Sequence, residues 1–105
     1  MIHIDRRCQR ELEDFPIQVR EDLADAVARL DQGQVLSMPL SRPMSSIGPG
    51  AHELRLRERS GAYRVFYALV AKSGVHLLHA FKKTTRETPK HAIEIARRRL
   101  REVNS

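Results

Sequence analysis

Apolar residues recur at helical spacing along the first third of the chain. Cys8, Leu12 and Phe15 follow Asp5, a residue type suited to capping a helix start, and Pro16 then breaks the run. Val19, Leu23, Ala26, Val27 and Leu30 make a second stripe that stops before Gly33. The pattern predicts two amphipathic helices joined by a tight, proline-containing turn. Their outer faces carry Glu13, Asp14, Arg20, Glu21, Asp22 and Asp25 into solvent. Residues 37–50 hold three prolines, two glycines and four serines, and read as an ordered loop that Leu40, Met44 and Ile47 can anchor.

From Ala51 the period changes to two. Leu54 and Leu56 point to one side and Glu53, Arg55, Arg57 and Arg59 to the other, as in a half-buried strand. After the turn signal Ser60-Gly61, Tyr63 to Ala71 is rich in apolar and β-prone residues, the mark of a central strand. Lys72-Ser73-Gly74 turns the chain again into a third strand, Val75 to Lys82. Thr88-Pro89 then predicts a helix start with Thr88 as its cap, and Ile93, Ala96, Leu100 and Val103 supply the buried stripe. The fold class that follows is α+β, one domain over residues 1–105. A helical hairpin and a C-terminal helix pack on one face of a three-strand antiparallel meander, with Ile2–Ile4 as a candidate short fourth strand.

Composition narrows the setting. No stretch approaches the roughly 20 apolar residues that span a bilayer, so no membrane role is expected. Met1-Ile2-His3-Ile4-Asp5 lacks a basic region followed by an apolar run, so no secretory signal is expected either. The lone Cys8 cannot form an internal disulfide, which fits a reducing cytoplasm. The formal net charge is +6, and its distribution is uneven. Residues 1–50 hold 6 Lys/Arg against 8 Asp/Glu, net −2, whereas residues 51–105 hold 13 against 5, net +8. Basic charge concentrated in one half points to a surface for a polyanion.

The candidate chemistry lies in that half. Arg64 is the only charge in Tyr63-Arg64-Val65-Phe66-Tyr67, and a desolvated guanidinium needs a partner. Two are open: a carboxylate from Glu53 or Glu58 on the preceding strand, or an arriving phosphate. Arg55 and Arg57 share the solvent side of the first strand, so Arg64 on that side would complete a convergent triad, with Lys82 and Lys83 entering from the next strand. Arginine suits the task because its planar fork holds phosphate oxygens bidentately and stays charged. Lys90, Arg97 and Arg101 share a stripe of the last helix, open to backbone phosphates or to solvent beside Glu94. No metal or cofactor is expected. His76 and His79 fall on opposite faces of an ideal strand, and no phosphate loop, nucleophile elbow or dinucleotide fingerprint occurs.

Taken together, His52-Glu53-Leu54-Arg55-Leu56-Arg57, Tyr63-Arg64-Val65-Phe66-Tyr67, His79-Ala80-Phe81-Lys82-Lys83-Thr84 and Thr88-Pro89 before a basic helix resemble the RelE/HigB-like toxins. The likeness is to their phage-derived branch and runs from about Asp5 to Val103. It implies the toxin of a type II toxin–antitoxin pair that cuts mRNA on the ribosome without a metal. The ribose 2′-hydroxyl attacks the adjacent phosphate, leaving a 2′,3′-cyclic phosphate and a 5′-hydroxyl, while the protein orients the reactants and stabilises the anionic phosphorane. Carried onto this sequence, the family's basic positions fall on Arg55, with Arg57 beside it, on Arg64, and on Lys82 and Lys83. The tyrosine expected near the start of the last helix is missing, and His91 is the nearest titratable residue. The catalytic set implied is thus Arg55, Arg64, Lys82 and His91, with Arg57, Arg59, Lys83, Lys90, Arg97 and Arg101 on RNA. The general base is open between Lys82, His91 and Glu53, since arginine stays protonated. Implied partners are the ribosome, mRNA and a small antitoxin with a helix-turn-helix domain, encoded next door and joined to the toxin as a hetero-oligomer. Two other readings are a ParE-like toxin directed at DNA gyrase and a basic RNA- or ribosome-binding module without catalysis.

Overall fold

The computed structural model describes residues 1–105. Its elements run β1 (Ile2–Ile4), α1 (Arg6–Glu13), α2 (Ile17–Asp31), β2 (Ser41–Pro43), β3 (Ala51–Glu58), β4 (Gly61–Val70), β5 (Gly74–Lys83) and α3 (Lys90–Asn104). Asp5 caps α1 by accepting the otherwise unpaired N–H groups of Arg7 and Cys8. At the last helix the expectation is corrected by one position. Pro89 is the N-cap, and the Thr88 hydroxyl turns instead toward Arg42 and Glu53.

The sheet has five strands in the order β1-β5-β4-β3-β2. The meander β3-β4-β5 is antiparallel, and the short strand expected at Ile2–Ile4 joins its edge parallel to β5. Gly74 permits that approach. Its φ of +106° suits only glycine, and a Cβ there would sit 2.2 Å from the Met1 carbonyl oxygen. The strand β2, inside the loop anchored by buried Met44 and Ile47, has no periodic signal because it is three residues long.

Helices cover both faces of the sheet rather than one. Leu54, Leu56, Tyr63, Val65, Tyr67 and Leu77 meet the hairpin α1–α2, whereas Ala51, Phe66, Ala68 and Leu78 meet Ala92, Ala96 and Leu100 of α3. The reason lies in β4, whose apolar side chains alternate to both sides and therefore demand two covers. Helix α3 shields only part of its face. Phe81 packs at the margin of that core, and beyond it the cross-strand pair Arg55–Arg64 and the next row Arg57–Ala62–Lys83 lie outside the helix core.

A register shift between Phe66 and Tyr67 makes Leu78 the extra residue of a bulge in β5. It overturns the parity argument for the histidines. His76 lies opposite Ala68 and His79 opposite Phe66, so both occupy the α3 side. Past the end of β1 the outer edge of β5 is closed by side chains. Glu11 accepts the Ala80 N–H at 3.1 Å, and Arg99 donates to the Leu78 carbonyl at 2.8 Å. The same Glu11 carboxylate takes both terminal nitrogens of Arg99 and meets His79 Nδ1 at 3.0 Å, tying α1, β5 and α3 together. No helix is long and apolar enough to cross a membrane.

Candidate functional site

The open rows of the sheet place cations where the alternation of β3 predicts them. Arg55 and Arg64 are direct cross-strand partners, and Ala62 separates Arg57 from Lys83 in the neighbouring row. Like charges directly opposite on a sheet destabilise it, so this arrangement needs compensation. It comes from Glu53, which is fully buried. Its carboxylate accepts Arg42 Nε at 2.8 Å and lies 3.8 Å from Arg64 Nε. Both partners named for Arg64 from the sequence therefore bear on the site: the carboxylate is present, yet too far to hydrogen-bond.

Arg64 is 4% exposed, and its head donates only to the Tyr63 carbonyl, at 3.1 Å. Its Nε is buried without any hydrogen-bond partner. A buried charged donor with no acceptor is costly, and an anion entering the face would satisfy it. Burial lowers the Arg64 pKa, opposed by Glu53 and reinforced by Arg55, Arg57 and Arg42. Burial likewise lowers the Lys83 pKa, helped by Arg64, Arg55 and Arg42 against Glu53. The Lys83 ammonium donates to the Arg86 carbonyl at 2.6 Å, which pins the loop after β5 beside the face.

Two hollows share Arg55 and Arg64 as a common wall. One, about 290 Å³, is lined otherwise by Pro39, Leu40, Leu56 and Arg57. The other, about 480 Å³, lies toward α3 and adds Arg42, Glu53, Lys83, Arg86, Glu87 and Thr88. Five cations against two carboxylates in the larger hollow leave it strongly anion-attracting.

The structure gathers Arg55, Arg57, Arg64 and Lys83 and sets the other candidates apart. Lys82 lies across from Tyr63, on the hairpin side, with its ammonium 5.8 Å from the Tyr63 ring centroid. The ladder is regular from Ala80 to Lys83, and there alternation sends adjacent residues to opposite faces. Glu53, another candidate base from the sequence, is buried with one oxygen toward Arg42 and the other toward Arg64. His91 is exposed on the first turn of α3 and lines neither hollow. Arg59 is exposed at the β3–β4 turn, and Lys90, Arg97 and Arg101 are exposed on α3, outside both hollows. Arg42 escaped the sequence reading, although it is the only charge between Ser37 and Gly50.

The sequence model of the family described as Phage derived protein Gp49-like (DUF891) matches residues 10–101. The fold is similar to that of the Escherichia coli toxin RelE in the free state, solved as a mutant with two arginines replaced by alanine. That match has a TM-score of 0.59 and 20% sequence identity, covering 90% of this chain and 94% of the other. No curated protein sequence matches the chain.

Proposed function

The chain belongs to the Gp49-like family of phage-derived proteins and shares the fold of RelE, and on that premise we propose that it is a toxin that cuts mRNA on the ribosome. One observation carries the reading. The buried Arg64 guanidinium keeps an Nε without a hydrogen-bond partner, within a cluster of cations that an arriving anion would relieve. The substrate phosphate lies across Arg55 and Arg64. As the 2′-oxygen bonds to phosphorus, charge builds on the phosphorane oxygens, and fixed guanidiniums stabilise that charge more than they stabilise the starting diester. The bond to the 5′-oxygen then breaks, leaving the cyclic phosphate.

Two protons must move: one leaves the attacking 2′-hydroxyl and one reaches the departing 5′-oxygen. Arginine serves neither transfer at neutral pH. Lys83 is the proton carrier in this proposal, since it stands on the cationic face, where burial, with Arg64, Arg55 and Arg42 against Glu53, lowers its pKa. Lys82 and His91, the candidates from the sequence, lie outside both hollows. Lys83 takes the proton of the attacking 2′-hydroxyl, and the departing 5′-oxygen takes one from water. Alignment of the 2′-hydroxyl with the scissile bond falls to the ribosome, which bends the message in its decoding site. A protein partner that covers the cationic face, the antitoxin, keeps the activity silent in the cytoplasm.

The test is an A-site-vacant ribosome complex incubated with the protein, followed by mapping of mRNA 5′ ends. Cuts within the A-site codon, with 5′-hydroxyl and cyclic phosphate ends and much slower cleavage of the free message, are expected. Intact mRNA would overturn the proposal. Inhibition of DNA supercoiling by gyrase would then favour the ParE-like alternative, and ribosome binding without cutting the non-catalytic one.

A further inference from the structure

The two hollows are unlike in what their walls can read. The smaller has an apolar floor of Pro39, Leu40 and Leu56, and its only charged groups are Arg55, Arg57 and Arg64. A nucleobase there meets apolar surface and guanidinium planes, which accept any ring. The larger hollow holds Glu87, whose carboxylate makes no hydrogen bond or ion pair despite the cations around it. The loop that carries Glu87 is tied down on both sides. Lys83 donates to the Arg86 carbonyl at 2.6 Å, Thr85 Oγ1 donates to the Glu87 carbonyl at 2.7 Å, and Arg42 donates to Thr88 Oγ1 at 3.1 Å. Glu87 is thus presented from a braced backbone.

Arg55 and Arg64 stand between the hollows, and Arg64 carries the buried Nε that lacks an acceptor. A phosphate on this shared wall puts its two flanking nucleosides on either side, one toward each hollow. We propose that the larger hollow is a guanine-reading subsite in which Glu87 selects the base on one side of the phosphate. Among the four RNA bases only guanine has two adjacent donors, N1–H and the 2-amino group, on its Watson–Crick edge. A carboxylate accepts both at once. Adenine and cytosine offer one donor beside an acceptor lone pair, which the carboxylate repels, and uracil offers a single donor between two carbonyls. Single-stranded RNA leaves this edge free to be read. The subsite rests on the reading of the cationic face as an RNA site but does not require that the RNA be cut.

The experiment measures binding and cleavage separately. RNA hexamers of uridine with one central position changed to G, A or C are titrated with the protein at low salt by fluorescence anisotropy. The wild type is expected to bind the G hexamer on the order of tenfold more tightly than the A hexamer, the discrimination typical of a bidentate contact. Glu87→Ala should bind all four within about twofold, with affinity for the plain uridine hexamer unchanged or higher because a negative charge is gone. Glu87→Gln, whose amide presents one acceptor and one donor and can pair with a Watson–Crick edge of any base, should lose the guanine preference. Both variants should melt like the wild type, since Glu87 is exposed and its side chain is unbonded. Equal binding of the four hexamers by the wild type, or a guanine preference that survives Glu87→Ala, would overturn the subsite. Guanine preference lost in Glu87→Ala with no cleavage on ribosomes would keep the subsite and remove the nuclease.

Discussion

Replacing Arg64 by alanine separates a structural arginine from one held for substrate. In the free protein its head makes one hydrogen bond, to the Tyr63 carbonyl at 3.1 Å, and a long contact of 3.8 Å to Glu53. A charged hydrogen bond of this kind stabilises by about 1.5–3 kcal/mol. Against it stand a buried Nε without a partner and repulsion from Arg55, Arg57 and Arg42, both relieved on truncation. Glu53 keeps Arg42 at 2.8 Å and is not stranded. The net loss should therefore be only about 1–2 kcal/mol, including the packing of the stem, or a Tm lowered on the order of 5–10 °C for a domain of this size. Cleavage should fall far more. Removing one preorganised donor to a developing oxyanion costs about 10²–10³ in rate. Thermal melts and single-turnover cleavage of ribosome-bound mRNA on the same preparation give both numbers, with Arg64→Met as the variant that retains the stem. An Arg64→Ala protein unfolded at 25 °C, or one that cuts within tenfold of wild type, would refute the reasoning.

Strand parity predicts opposite fates for adjacent lysines. Lys83→Met should lower the single-turnover rate by about 10²-fold or more, the range of general acid–base contributions, while Lys82→Met should change it less than fivefold; equal losses would remove the facial argument. Arg99→Ala should cost about 2–4 kcal/mol in urea unfolding, because it removes the charged partner of the Glu11 carboxylate and the side-chain donor to the Leu78 carbonyl. Adding Glu11→Ala should then cost less than its separate effect predicts, and strict additivity would show that the two do not act together. Stability should also fall on acidification. Burial lowers the His79 pKa against the pull of Glu11, so the unfolded chain binds that proton first and stability declines as pH drops below about 6.5. Burial raises the Glu11 pKa, but Arg99, the Ala80 N–H and His79 outweigh it, so its contribution is present above about pH 4.3 and lost as pH falls through that range. A urea midpoint unchanged between pH 8 and pH 5 would contradict the first sign, and one unchanged from pH 5 to pH 2 the second.

Much of the scaffold was readable because long periodic segments announce themselves. Asp5, the two helical stripes and the alternation of β3 with Arg55 and Arg57 on its outer side all recur in the structure. The likeness to RelE/HigB-like toxins is borne out in family and fold. What escaped depends on pairing between distant segments. Three residues of β2 carry no period of their own, so Arg42 could not be placed beside Glu53. The bulge at Leu78 reset the faces of His76 and His79, and only the ladder with β4 reveals it. Lys82 is a different case. Parity alone assigns it to the side opposite Lys83, and the resemblance, which treats the two as a pair, hid that simple inference. Arg99 sits within the run Arg97-Arg98-Arg99, where composition gives no sign that one member is buried against Glu11.

The edge of β5 has a consequence for the order in which the chain is made. Synthesis runs from the N-terminus, so α1 and every strand are polymerised before Arg99 is added. Until α3 docks, the Leu78 carbonyl lacks the N–H that Arg99 donates to it in the complete fold. An unfinished chain thus carries a short length of open strand border, the kind of surface that recruits another chain by main-chain pairing. The same docking of α3 brings Ile93 to the wall of the larger hollow. Closing the border and completing the cationic cleft are one event, set by the last fifteen residues of helix. A nascent molecule released short of that helix would be sticky and would lack the cleft.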